Sequence, residues 1–224
     1  MSRVNHQVVA DRLTRDRLAS YLQATGGSVA AALDLYDWNT LVGAALHEDL
    51  GRLEVLFRNA MDDALVRLGS AEGWLNPWYR QRHLFQGRQS SRTRADISEA
   101  RQRATRRGRA ELHGKVVAEL GFGFWRYLCA SQYLTSLWVP ALASAFARHP
   151  SPSDPYRIRA DVEERIQRLH FLRNRIAHHE PIHNRRNLVR DHEQLLEVVG
   201  WICSDSRSWV AARSRTPAVL ASRP

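Results

Sequence analysis

Residues 39–68, NTLVGAALHEDLGRLEVLFRNAMDDALVRL, decide the fold class. Leu46, Leu50, Leu53, Phe57, Ala60, Ala64 and Leu68 recur every three or four residues, the spacing of one face of an α-helix. Asn39 suits an N-cap, where a short side-chain oxygen accepts a free backbone N–H. Gly69 stands just past the last apolar position, where a left-handed residue commonly ends a helix. The stretch is therefore a long helix with one buried stripe. The same period recurs on both sides of it and strand-like alternation is scarce, so the chain is all-α.

Upstream, a first helix is expected over Gln7–Gln23, stopped by Gly26-Gly27, and Ser28 is placed to cap a short helix through Tyr36. Downstream, Gly73, Pro77, Gly87 and Ser90-Ser91 predict an irregular Gly69–Arg94. Asp96-Ile97-Ser98-Glu99 has the form of a capping box that opens a helix. Arg101, Arg103, Arg106, Arg107 and Arg109 follow, giving an Arg-rich loop or helix over 80–109 that is either a solvated face or a track for RNA phosphates. From Ala110 to Ala147 the chain turns apolar and aromatic. Phe122, Trp125, Leu128, Leu137 and Trp138 belong in the central core. Pro140 starts or kinks a helix, and His149–Pro155 is a linker that no helix crosses. A helix from about Tyr156, with a stripe of Val162, Ile166, Leu169, Leu172 and Ile176, should end near His179 because Pro181 lacks a backbone donor. His183–Asn187 is a polar turn, and a last helix starts near Leu188 and reaches Cys203 or Ala212. Residues 1–215 form one domain and 216–224 a disordered tail.

A formal charge of +10 and an isoelectric point near 10.6 favour polyanionic partners. Lys115 is the only lysine, so arginine carries nearly all of that charge. Cys129 and Cys203 have no C-x-x-C partner, which argues against a disulfide framework or zinc finger and suits buried thiols in a reducing cytoplasm. Met1–Asp11 lacks the apolar core of a signal peptide, and no apolar run approaches the roughly 20 residues that span a bilayer. The expectation is a cytoplasmic protein with no membrane partner.

Chemistry concentrates in Leu172-Arg173-Asn174-Arg175-Ile176-Ala177-His178-His179-Glu180-Pro181. Arginine grips phosphate with a planar fork, and histidine moves protons near neutral pH. In RNA cleavage without a metal, the ribose 2′-oxygen attacks phosphorus and the 5′-oxygen leaves, so the site must take one proton, give one, and stabilise phosphoryl charge. Arg173 is the candidate clamp, His178 the proton carrier, and Asn174, one turn before His178, the orienting amide. Arg175 and His179 give a second register. Positions five apart differ by about 140° around a helix, so Arg173 and His178 do not share a face. Either the helix loosens, or two copies contribute. His179-Glu180-Pro181-Ile182-His183 has the letters of a zinc-protease H-E-x-x-H, but Pro181 breaks the turn that its histidines would need. No metal and no cofactor is expected. Phosphate-binding P-loop, G-x-S-x-G and dinucleotide-binding patterns are absent from the sequence.

The run around Arg173 resembles the R-x4-6-H motif of the HEPN superfamily, in the Arg-Asn-x3-His form of Abi-like (abortive infection, AbiD/AbiF type) proteins. Leu53–Asn59, Leu120–Leu128 and Phe171-Leu172 resemble that family too, in the same order, and the likeness extends from about residue 30 to about residue 200. The resemblance implies an antiparallel helical bundle with additional helices, a homodimer with facing motifs, and metal-independent RNA cleavage in phage defence or as a toxin, answering to a cognate antitoxin or a phage-derived trigger. It also implies that Glu54 and Arg58, on an early helix, face Arg173 or the substrate. Two other readings stand beside it: a non-catalytic RNA-binding or RNA-sensing helical protein, and a protein-interaction regulator.

Overall fold

The computed structural model describes residues 4–224, and every regular element among them is helical. The axis is α3 (Val29–Ala71), 43 residues without a break. Its N-cap is Ser28, whose hydroxyl accepts from Ala31 N. The short helix expected before Tyr36 and the long one expected from Asn39 are thus one element. Ala32, Leu35 and Trp38 continue the buried stripe upstream of Leu46. Asn39 caps nothing in its own helix.

Ahead of it lie α1 (His6–Leu13) and α2 (Arg15–Ala24), split where the sequence suggested one helix. The split is at Thr14, which has a left-handed φ of 71°. Beyond α3, Gly73, Pro77 and Gly87 interrupt the chain as expected, leaving three short 3-10 turns between Trp78 and Ser90. This segment is nonetheless part of the core. Trp78, Tyr79, Leu84 and Phe85 are buried, and the Trp78 ring meets Phe124 and Trp125 at 6.2 and 5.8 Å. Helix α4 (Ser91–Ala104) starts five residues before Asp96, so the apparent capping box is helix interior.

Next come α5 (His113–Glu119), α6 (Phe122–Tyr127), a single π turn at Leu134–Trp138, and α7 (Pro155–Ala177), which carries the motif. The final expected helix is two, α8 (Leu188–Ile202) and α9 (Ser204–Arg213), broken at the extended Cys203. The tail expected over 216–224 instead opens with α10 (Thr216–Ala221), which packs on α3 and α8. Thr216 is buried and Trp38 Nε1 donates to Val219 O at 2.8 Å. Helices α1, α2, α6, α7, α8 and α10 all contact α3. Val162, Ile166, Leu169 and Leu172 of α7 have no exposure, while Ile176 is only half-buried. No described helix is long and apolar enough to cross a membrane.

The aromatic stretch forms the core as expected. Trp125 and Trp138 are fully enclosed, and their indole N–H groups donate to Leu120 O and Leu128 O. Trp125→Ala removes a buried ring and orphans a carbonyl, and it should cost about 3–5 kcal/mol in denaturant unfolding.

Candidate functional site

Helix α7 ends in a Schellman turn. His179 N donates to Ile176 O at 3.0 Å and Glu180 N to Arg175 O at 2.8 Å, with His179 at φ 55° in the place glycine usually takes. Histidine tolerates this conformation better than most side chains. The turn is fastened from outside as well. Arg17 donates to His179 O, and Arg175 donates to Pro181 O while pairing with Glu180 at 3.5 Å. Asn39 Oδ1, in the middle of α3, accepts from both Ile182 N and His183 N at 2.8 and 2.9 Å. Here Asn39 does for a distant turn what it was expected to do for its own helix.

These contacts divide the motif. Arg175 is engaged in holding the turn. His178, the helix C-cap, is exposed, and its ring has no hydrogen-bond partner among the described residues. Asn174 is half-buried one turn earlier, and its carbonyl accepts from His178 N. Phe171, 56% exposed, lies seven residues before His178, so Phe171, Asn174 and His178 share one outward face of α7. His179 points elsewhere. It helps to line a cavity of about 550 Å³ together with Arg17, Asn39, His47, Ile176 and Glu180.

Arg173 sits on another side. Helical geometry persists through Ala177, so the 140° divergence from His178 stands. The imidazole beside Arg173 is His170, one turn back. Burial, then Arg126, Arg173 and Arg92, hold the His170 ring below the usual histidine range. Arg126 comes from α6 and Arg92 from α4. His170 also meets the Phe122 ring edge-on at 5.5 Å. Arg173 Nε and Arg126 Nε are shut off from solvent with no acceptor. Sequence reasoning missed His170, Arg126 and Arg92. The usable signal was Arg126, the only charged residue between Glu119 and Arg148.

The secondary candidates separate. Glu54 Oε1 accepts from Phe122 N at 3.2 Å, which fixes the start of α6. Arg58 Nε donates to Asn59 Oδ1 at 3.2 Å and makes no ion pair with Glu54, four residues before it on α3. The Arg-rich run also divides. Arg101 pairs with Glu111 at 3.0 Å, and Arg103 with Glu99 and Glu119 at 2.6 and 2.9 Å. Arg106, Arg107 and Arg109 are exposed. His183, expected in a polar turn, is buried, with its ring 4.3 Å from Tyr21 and Nε2 3.1 Å from Ser20 Oγ. Among the described residues no three His, Cys, Asp or Glu side chains assemble as a metal-ligand set. Of the two cysteines, Cys129 is buried and burial raises its thiol pKa, whereas Cys203 is only partly covered.

Comparison with family models, curated proteins and solved structures finds no match.

Two measurements test this geometry. Asn39→Ala leaves two buried N–H groups without an acceptor and should cost about 1–3 kcal/mol in denaturant unfolding. A loss below a few tenths would mean that the turn does not depend on α3. The second concerns pH. Burial depresses both His170 and His183, so the unfolded chain binds protons at those positions before the folded chain does. Their contribution is intact above about pH 6.5, the ordinary histidine value, and is lost as pH falls below it towards their lowered folded values. Unfolding midpoints from pH 7.5 to 5 should fall, and His170→Gln with His183→Gln should flatten the slope.

Proposed function

We propose that the chain is a metal-independent endoribonuclease, a HEPN-like, Abi-like antiparallel bundle acting as a cytoplasmic homodimer in phage defence or toxin-type growth arrest. The defence role, and control by an antitoxin or a phage-derived trigger, follow from the family resemblance alone. The observation that carries the chemical reading is Arg173. A half-buried guanidinium with no acceptor of its own is suited to hold a phosphodiester, since Arg keeps its charge at any working pH.

His178 supports the same reading from the other side, being exposed and free of side-chain bonds. In the proposed reaction the 2′-hydroxyl loses its proton as its oxygen bonds phosphorus. The 5′-oxygen then leaves and is protonated, giving a 2′,3′-cyclic phosphate. His178 carries one of those protons, Asn174 orients its ring or the ribose, and Arg173 neutralises the phosphoryl oxygens. The two side chains diverge on α7, so the working site takes Arg173 from one copy and His178 from the other. The exposed Phe171–Asn174–His178 face is the surface on which the copies would meet. That same divergence favours a second reading, a protein that binds RNA at Arg173 without cutting it.

Mixing separates the two. Arg173→Ala and His178→Ala should each lower cleavage of cellular RNA by about 10²–10⁴-fold. Combined and allowed to exchange subunits, they should recover about a quarter of parent activity, because half the dimers are mixed and each mixed dimer has one whole site of two. Cleavage should persist in chelator and leave cyclic phosphate ends. No recovery on mixing would place both groups in one chain. Full cleavage by either single variant would take that residue out of the reaction, whereas a parent chain that binds RNA and does not cleave it would leave only the binding reading.

A further inference from the structure

A cavity of about 550 Å³ lies between α2, the first half of α3 and the turn that ends α7, and the reaction described above does not use it. Its size is that of a small-molecule site. The floor is opened by Gly43. Outside the backbone of its own helix, a Cβ at position 43 would meet Ile176 Cγ2 at 3.8 Å and Ile182 Cδ1 at 4.0 Å, both ordinary contacts. Packing therefore does not require glycine here, and glycine weakens a helix interior. What the missing side chain leaves is the space itself. Ile176, the last residue of the α7 stripe, stays half-buried where it borders that space.

The walls carry flat rings and a short set of polar groups. Tyr36, His47 and His179 line the cavity, and rings of this kind stack on the faces of bases. His179 carries its imidazole at φ 55°, a conformation that favours glycine, and a glycine there would strengthen the turn and remove a ring. Arg17 is half-buried and spends one donor on His179 O, which leaves the rest of its fork. Asn39 gives its Oδ1 to Ile182 N and His183 N, so its amide N–H pair is what remains for the cavity. Glu180 supplies the acceptor. Its side chain is 51% exposed, with Arg175 Nε at 3.5 Å and no hydrogen bond between them.

We propose that this cavity binds a guanine base. The donors and the acceptor decide the choice. A carboxylate is best met by two adjacent N–H donors, and guanine alone among the four RNA bases offers them, at N1 and N2. Its other edge has acceptors at O6 and N7, the pair that an arginine fork grips. Adenine and cytosine would set a ring-nitrogen lone pair beside Glu180, and uracil a single N–H between two carbonyls. Ala177 and His179 flank His178 in the chain and both line the cavity, so a base held there lies beside the proposed proton carrier. Where the base belongs to an RNA nucleotide next to the cleaved bond, the inference rests on the ribonuclease reading. Where it belongs to a free nucleotide, it does not.

The test is a calorimetric titration of the full chain with GMP, IMP, AMP and UMP at one salt concentration. All four carry the same phosphate, so attraction to the basic surface is common to them and differences report the base. GMP should bind about tenfold tighter than AMP and UMP, the scale of one bidentate contact to a base edge. IMP, which lacks only the N2 amine, should lose most of that advantage. Glu180→Gln should weaken GMP about tenfold and bring GMP and IMP together. Gly43→Leu fills the floor and should remove the preference. Glu180 is at the surface, so its variant keeps the test open if Gly43→Leu unfolds. A short 2′-O-methyl RNA with a single guanine, set against the same RNA with adenine in its place, separates the sources. Discrimination with both GMP and RNA assigns the site to an RNA base, and discrimination with GMP alone assigns it to a free nucleotide. Equal affinity for the four nucleotides, or a guanine preference that survives both variants, overturns the site. Cleavage of natural RNA is scored separately. Cutting without base discrimination would sink the site and spare the ribonuclease, and discrimination without cutting would do the reverse.

Discussion

Four acceptor side chains on one rigid helix hold the rest of the chain in place. Along α3, Asn39 takes two N–H groups of the turn after α7 and Asp49 takes the hydroxyls of Ser214 and Thr216. Glu54 takes Phe122 N, and Asp62 takes Trp78 Nε1 and stands 2.9 Å from His113 Nε2. A helix-interior residue has its own backbone bonds satisfied, so its side-chain acceptor is free for a distant partner. Buried donors must find acceptors, which makes each of these contacts a constraint on position as well as a stabilising bond. Asp49 shows the balance. Burial alone would raise its carboxyl pKa, but hydrogen bonds from His192, Ser214 and Thr216 outweigh that and hold it below the usual carboxylate range. With 43 residues, α3 is about 65 Å long, enough to set α6 and the end of α7 at fixed points on one rod. Through Glu54 and Asn39 it thereby fixes where Arg126 stands relative to the motif.

What could be read from the sequence was the part governed by local period and composition. The apolar stripe of α3, the aromatic core of residues 122–138 and the stop of α7 before Pro181 all follow from neighbours within a turn or two. What could not be read depends on partners far along the chain. Asn39 resembles a cap because its preference is local, yet its partners lie 143 and 144 residues away. His183 looks like a turn residue until Tyr21 and Ser20 cover it. The C-terminal segment looks like a tail because its anchors are Asp49 and Trp38. For the site, residue types and the angle between Arg173 and His178 were legible. The company each keeps was not, since His170, one turn before Arg173, meets Phe122 and Gly123 only through the packing of α6 against α7.

Total charge is a poor guide to which cations of this chain are free of acidic partners. The densest arginine run, read as either a solvated face or a track for RNA phosphates, has its first two members paired with Glu99, Glu111 and Glu119, which join α4 to the segment that follows. Exposed ion pairs of this kind add little stability, though they do remove the charge from service. The run's later members, Arg106, Arg107 and Arg109, are exposed and make no ion pair among the described residues. Density of cations along the sequence therefore does not tell which of them keep a free charge once the chain is folded.

The same reasoning bears on how α7 would work in a pair. Arg173 has its Nε shut off from solvent on a side of α7 about 140° from His178. His178 is held outward by the turn that follows it, whose backbone is tied to Arg17, Arg175 and Asn39. With the two groups on different sides of α7, chemistry that needed both would draw one from a second molecule. An exposed Phe171 on the His178 face supplies apolar surface for that contact, and a two-fold axis near the end of α7 would repeat the exchange on both sides. In such an arrangement the long helix does not touch the scissile bond. It sets the angle at which each copy presents a histidine to its partner and an arginine to the phosphate.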